Sequence, residues 1–206
     1  MDEKIDIVSA VTDEEAELLS KLAADKFVIE IGTEFGKSTI AMARTAKLVY
    51  AVDHHHLAPK LSEPWDVEKC VEQVGALLRN LRKYNVAERV IPVIGDCGKA
   101  CSYLAPGSFD MLFIDADHTY TGVRHSLWSA IGLLIAEPII AFHDYGRCRP
   151  EYDWHVTEIV DCLAEEWNAH LTVVGHLAAI QSKRNWQFSL DGLAEALRKA
   201  KQKCGL

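Results

Sequence analysis

The stretch Phe27-Val-Ile-Glu-Ile-Gly-Thr-Glu-Phe-Gly-Lys-Ser-Thr39 decides how the chain folds. Phe27 to Ile31 is a short apolar run broken by Gly32, the pattern of a buried strand entering a tight turn. A helix follows from Ser38 to Thr45, and Leu48 to Val52 supplies a second apolar run of strand length. The alternation continues downstream. Val67, Cys70, Val71, Val74, Leu77, Leu78 and Leu81 recur at helical spacing, which predicts one long helix from Asp66 to Tyr84. Further strands are expected at Val90 to Ile94, Phe109 to Ile114 and Pro138 to Phe142, with helices between them. Val156, Ile159, Val160, Leu163 and Trp167 mark another helix. Leu171 to Val174 and Ala178 to Gln181, separated by Gly175-His176-Leu177, read as a terminal hairpin, and Leu190, Leu193, Ala194 and Leu197 begin a last helix. Upstream, Thr12-Asp-Glu-Glu15 is a capping box opening a helix that runs to about Asp25. Apolar strands alternating with helices imply an α/β protein whose mostly parallel sheet is covered on both faces. Such sheets bind ligands at the carboxyl ends of their strands.

At 206 residues the chain is expected to form a single domain, with an N-terminal helix over 1–26, a core over 27–182 and a C-terminal helix over 183–206. Its 22 Lys+Arg against 30 Asp+Glu give a net charge of −8, which argues against a partner such as nucleic acid or an anionic membrane. The longest charge-free run, Ser126 to Ala136, is short of the ~20 residues that cross a bilayer. Met1-Asp-Glu-Lys-Ile5 has neither the basic start nor the apolar stretch of a secretory signal. Cys70, Cys97, Cys101, Cys148, Cys162 and Cys204 are scattered without a C-x-x-C, so reduced thiols and a cytoplasmic location are expected.

The strand ends are acidic: Glu30 and Glu34 around the first turn, then Asp53, Asp96, Asp115 with Asp117, and Asp144 after His143. A single Asp before a helix is most often a cap, but capping does not demand an acid after every strand. The first turn admits three readings. A dinucleotide fingerprint, G-x-G-x-x-G, fails because Glu34 and Lys37 stand where glycines are required. A phosphate-binding P-loop finds its end in Gly36-Lys37-Ser38, yet its first glycine would fall at Ile31 and Glu34 would repel a triphosphate. The third reading is E-x-G-x-x-x-G, the nucleoside-binding turn of class I S-adenosyl-L-methionine (SAM) methyltransferases. An acid one strand over, about 20 residues on, would hold a ribose diol, and Asp53 lies 23 residues after Glu30.

Val93-Ile-Gly-Asp96, Phe113-Ile-Asp-Ala-Asp-His-Thr-Tyr120 and Phe142-His-Asp-Tyr145 carry a more specific likeness. Over roughly Phe27 to Gln181 the chain resembles bacterial class I SAM-dependent methyltransferases of the macrocin and mycinamicin sugar O-methyltransferase type, themselves similar to catechol O-methyltransferases. The resemblance implies a Rossmann-like, seven-stranded sheet ending in an antiparallel hairpin. It places Glu30, Gly32, Thr33, Gly36 and Ser38 around the methionine portion of SAM, Asp53 at the ribose and His54 near the adenine. Asp96 and Cys97 would flank the base, and Asp115 would lie at the same cofactor edge. Asp115 would also bind a divalent metal with His143 and Asp144, and His118 would be the catalytic base.

The implied reaction is methyl transfer to a hydroxyl of a small-molecule acceptor, which requires alignment of nucleophile, methyl and sulfur and removal of a proton. A cation lowers the hydroxyl's pKa. Magnesium (Mg2+) prefers oxygen ligands, whereas His143 offers imidazole, so three alternatives stand: manganese (Mn2+), recruitment of Asp117 instead, or no metal. His118 has a competing reading as cap of the helix near Thr119. His54-His55-His56 cannot easily converge on one ion and are taken as cofactor-edge and loop residues. Leu57 to Trp65 and Tyr145 to Tyr152, with Arg147 and Arg149, are expected to wall the acceptor, joined by Trp154 and His155. N-methylation and cofactor binding without catalysis remain alternatives, and the resemblance allows a homo-oligomer.

Overall fold

The computed structural model describes residues 4–55, 66–147, 153–181 and 189–206. Seven strands form one sheet: β1 (Phe27–Ile31), β2 (Leu48–Asp53), β3 (Val90–Ile94), β4 (Phe109–Ile114), β5 (Leu134–Phe142), β6 (His170–Val174) and β7 (Leu177–Gln181). Their order is β3-β2-β1-β4-β5-β7-β6. The pairs from β3 to β5 are parallel, while β7 runs antiparallel to both β5 and β6. The terminal hairpin therefore inserts its second strand beside β5. Strand order reverses between β1 and β4, and at that point the helices leaving the sheet diverge to opposite faces and open a crevice.

Helices α1 (Asp13–Ala23), α2 (Lys37–Ala43) and α3 (Val67–Lys83) cover one face. The other carries α4 (Cys97–Ser102), α5 (Tyr120–Ala130), α6 (Val156–Glu166) and α7 (Leu190–Lys203). Successive strand residues point to opposite faces, so Ile29, Leu112, Ile140 and Phe142 enter the α4–α7 core while Val28, Met111, Phe113 and Ala141 enter the α1–α3 core. Full burial of each large side chain contributes about 2 kcal/mol. The capping box forms as expected: Thr12 Oγ1 accepts from the Glu15 backbone N–H, and Glu15 Oε2 accepts from that of Thr12.

The largest boundary difference is in β5, while β6 and β7 each begin one residue earlier than expected, at His170 and Leu177. β5 begins at Leu134 rather than Pro138, because a register shift between the Phe109–Leu134 and Met111–Ile139 pairs takes the proline into an irregular stretch where its missing N–H costs no ladder bond. No helix among the described residues is long and apolar enough to cross a membrane.

Candidate active site

The first turn is built for close approach. Gly32 has φ +94°, and a Cβ there would lie 2.1 Å from the Asp115 carbonyl oxygen, so only glycine lets the ends of β1 and β4 meet. Gly36, at φ +90°, is the N-cap of α2 and would place a Cβ 2.6 Å from Leu77 Cδ1. Between them the backbone wraps around one carboxylate. The Thr33 and Glu34 N–H groups donate to Asp53 Oδ2 at 2.7 and 2.9 Å, and the His55 N–H donates to Oδ1 at 2.8 Å. Burial works to raise the Asp53 pKa, but the His55 charge and these donors hold the carboxyl below its usual range. A protein carboxylate thus occupies the donors that a P-loop would offer to phosphate. Lys37, the would-be phosphate lysine, is instead paired with Asp13 at 3.1 Å.

Over this turn lies a cavity of about 530 Å³, within the size range of small-molecule and cofactor sites. Gly32, Asp53, His54, Asp96, Cys97 and Asp115, which the resemblance placed around SAM, line it. Asp96 is also the N-cap of α4, accepting from the Lys99 N–H at 3.1 Å, and the His125 ring lies 3.2 Å from its other oxygen. Gln73, His125 and Ser126 also line it without having been singled out. They sit on helix faces where a polar residue carries no local signal.

Four expected cofactor residues do not line this cavity: Thr33 and Ser38, which border a second hollow, and Glu30 and Gly36. Glu30 is fully buried and alternates to the α2 side of β1, where the Ser38 and Thr39 hydroxyls donate to its two oxygens at 2.5 and 2.6 Å. Burial pushes its pKa up to about 8 against the pull of those hydroxyls, with Asp115 and Asp53 adding to the rise. Its place is to lock β1 to α2. Gly36 lines neither of the two cavities at the strand ends.

A second hollow of about 300 Å³ adjoins the first and shares Gly32, Glu34 and Asp115 with it. Thr33, Ser38, His118, Asp144, Arg147 and Trp154 also line it, and Ser9 and Ala10 of the N-terminal segment close one side. His118 Nε2 lies 2.6 Å from Asp144 Oδ2 and 3.5 Å from Asp115 Oδ1, and its ring stacks on Trp154 with centroids 4.4 Å apart. His118 is not a helix cap, since Thr119 caps α5 by accepting from the Gly122 N–H. Burial would lower the His118 pKa, but the hydrogen bonds and charges of Asp115 and Asp144 raise it to about 9.

His143 occupies a different place from the one expected. It continues the alternation of β5 toward α1 and is wholly buried behind the two carboxylates. Its Nδ1 lies 3.4 Å from Asp115 Oδ1 and 3.5 Å from Asp144 Oδ2, and its Nε2 lies 3.3 Å from Glu15 Oε2. Burial opposes its charge, yet Asp115 and Asp144 raise its pKa to about 10, which favours the protonated ring. The converging donors on the open side are Asp115, His118 and Asp144, whose ligand atoms lie within 4.8 Å of one another. Burial tends to raise Asp144, but His118 and His143 draw it far below the carboxylate range.

Glu15 is the residue that sequence reading missed. Besides capping α1, it accepts from the His176 N–H at 2.6 Å and faces His143, joining α1, the β6–β7 turn and the end of β5. Arg147, expected to grip substrate, is engaged with Asp144 at 2.7 Å. Trp154 stands in the wall as expected, whereas His155 faces Asp153 and Glu158. His56, Leu57 to Trp65 and Arg149 lie outside the described residues.

A parallel sheet with a switch-point crevice, an antiparallel β7 and a cavity floored by the first turn define the class: a Rossmann-like methyltransferase fold. The chain belongs to the family described as "Methyltransferase domain", whose profile matches residues 29–145. A catechol O-methyltransferase of Mycobacterium tuberculosis is 38% identical over 100 residues, which are 48% of this chain and 40% of that protein, so the match spans less than half of either. Among solved structures, cofactor-bound Rv0187 from MTB superposes with a TM-score of 0.65 at 24% identity, covering 88% of this chain and 85% of that one. The O-methyltransferase TomG from Streptomyces achromogenes, in complex with SAM, gives 0.61 at 20% identity with coverages of 86% and 82%. An O-methyltransferase from Bacillus cereus in complex with SAH gives 0.59 at 19%, with 85% and 83%. At these identities the structures share the fold.

Proposed function

We propose that the chain is a SAM-dependent O-methyltransferase acting on a small hydroxylated molecule, working in the cytoplasm with its cysteines reduced. One observation carries this reading. The cofactor-sized cavity and the smaller hollow meet at Gly32 and Asp115, and the hollow places His118 beside that junction. The catechol O-methyltransferase relative supports the oxygen nucleophile.

SAM would lie over the first turn, its ribose beside Asp53 and its base between His54 and Cys97, with the sulfonium directed toward the hollow. The acceptor hydroxyl enters between Trp154 and Asp115. Its oxygen would take the methyl group as the carbon–sulfur bond breaks, leaving a neutral thioether, and the hydroxyl proton would pass to the neutral His118 ring, whose Nε2–H is held by Asp144. Asp144 and Asp115 hold that ring in place and make it a strong proton acceptor. His143, fixed by Glu15, holds the two carboxylates from behind.

The donor set of two carboxylates and an imidazole suits Mn2+ better than Mg2+. Asp115 and Asp144, with or without His118, would hold the ion, which would lower the pKa of a coordinated hydroxyl. As it stands the cluster balances its own charge, with Glu15, Asp115 and Asp144 facing His118, His143 and Arg147. Ion binding therefore entails loss of a ring proton.

Calorimetry with SAM and S-adenosylhomocysteine, followed by a screen of sugar, catechol and amine acceptors with labelled SAM with and without Mn2+ or Mg2+, tests the proposal. Binding of both nucleosides and label on a hydroxyl are expected. Label appearing on amines alone would overturn oxygen specificity, and no affinity for either nucleoside would overturn the whole reading.

A further inference from the structure

Helix α7 runs back along α6, from Gly192 beside Trp167 to Cys204 beside Glu158. At that second junction His155, the N-cap residue of α6, is held in an unusual way. Its Nε2 lies 2.8 Å from Asp153 Oδ1, and its Nδ1 is buried without a hydrogen-bond partner among the described residues, 3.9 Å from Glu158 Oε2. A carboxylate only accepts, so Asp153 places a ring hydrogen on Nε2, and in the neutral ring Nδ1 then carries a lone pair. That lone pair faces a second carboxylate, an unfavourable meeting unless a positive centre lies between them. Cys204 Sγ completes a triangle whose three ligand atoms lie within 4.8 Å of one another.

We propose that His155 Nδ1, a Glu158 carboxylate oxygen and Cys204 Sγ form a binding site for a zinc-class dication that clamps the end of α7 to the start of α6. Bond lengths of roughly 2.0–2.3 Å to these ligand types place tetrahedral neighbours roughly 3.4–3.6 Å apart. The 3.9 Å separation of the nitrogen and oxygen then closes by a few tenths of an ångström. Imidazole with thiolate selects zinc over the harder magnesium and calcium. Asp153 supplies the carboxylate that orients and strengthens a metal-bound imidazole from behind. All three ligands are partly exposed, which leaves the fourth position to solvent.

The surrounding charges agree. Lys199 and Lys203 pair with Glu166 and Glu165 at 2.6 and 3.9 Å, further along α6. Among the described residues, no lysine or arginine pairs with Glu158, whose Oε2 lies 3.9 Å from His155 Nδ1. Burial, then Glu158 and Asp153, push the Cys204 thiol up to about 11, a response to negative neighbours that a dication reverses. Binding forms the metal–sulfur bond and releases the thiol proton to solvent. The carboxyl end of α7 adds a favourable dipole.

Cobalt(II) reports the site separately from the cluster at His118, which contains no sulfur. Chelator-stripped full-length protein titrated with Co2+ is expected to develop a thiolate-to-cobalt charge-transfer band with one equivalent, to lose it when Zn2+ is added, and to retain it in the Cys97→Ser variant. Cys204→Ser should abolish the band. Absence of the band in the parent protein, or its persistence in Cys204→Ser, overturns the proposal. If Cys204→Ser loses its circular-dichroism signature, Glu158→Gln decides: cobalt affinity about tenfold lower supports the site, and unchanged affinity overturns it.

Discussion

His118 Nε2 lies 2.6 Å from Asp144 Oδ2, and that contact joins the open hollow to a buried chain of charges. Asp144 sits at φ +61°, where the chain leaves β5, and this turn brings its carboxylate to His118 while Arg147 holds the other oxygen. Glu15 and His143 secure the same carboxylates from the α1 side. The proposed base is thus carried by residues from three separate parts of the chain: α1, the β4–α5 connection and the end of β5.

Replacement of His118 by alanine should leave SAM affinity near the parent value and lower kcat by about 10²–10⁴, the usual worth of a positioned base. Single-turnover assays beside calorimetry check this. Unchanged turnover with intact binding would remove His118 from the chemistry.

The acids around His118 also set a pH dependence. Its proton is held up to about pH 9, so the neutral ring that accepts a proton is scarce near neutrality. Without added cation, kcat/KM should rise about tenfold per pH unit and level off near 9. Asp144→Asn removes a carboxylate and should move that midpoint down toward the ordinary histidine value. A rate flat across this range contradicts the assignment.

Gly32→Ala places a Cβ 2.1 Å from the Asp115 carbonyl oxygen at φ +94°. Strain and overpacking together should cost about 3 kcal/mol and lower Tm by roughly 6–12 °C. Gly107→Ala, at φ +65° with no atom within 4 Å of the added Cβ, isolates the backbone part and should cost about 1 kcal/mol. Thermal melts of the two variants should differ; equal Tm values would mean that β1 and β4 do not meet this closely.

Glu30 gives stability a distinct pH slope. The folded protein keeps its proton up to about pH 8, whereas the unfolded chain releases it near 4.5. The folded state therefore binds more protons in that window, and stability falls as pH rises through it, by an amount on the order of 4 kcal/mol. His118 and His143, raised to about 9 and 10 from 6.5, add a decline in the same direction at higher pH. Glu30→Gln retains a carbonyl acceptor for one hydroxyl and removes the titration. Urea unfolding at about pH 5 and about pH 8 should show a smaller loss in the variant, and parallel losses would exclude Glu30 as the source.

Local pattern encoded much of this molecule. The break of Phe27–Ile31 at Gly32, the helical spacing from Val67 to Leu81 and the run of acids after successive strands located the sheet and the strand ends where the cavities lie. The motif around Asp115 pointed to His118. Side-chain direction was only half legible. Alternation pairs Glu30 with Val28 and His143 with Ala141, but it does not say which helices cover that face of the sheet. Tertiary structure settled that, turning Glu30 onto α2 and His143 onto α1.

Glu15 shows why the remainder stayed hidden. Its capping bond with Thr12 accounts for the residue locally, so nothing in the sequence marks a second role. The contact with His143 spans 128 positions. Sequence determined the elements and the chemistry at their ends, because periodicity and turn residues act over a few positions. Which charges face one another depended on how α1 and the β6–β7 turn pack beside β5, because such pairing arises only where distant segments meet in a buried, low-dielectric space.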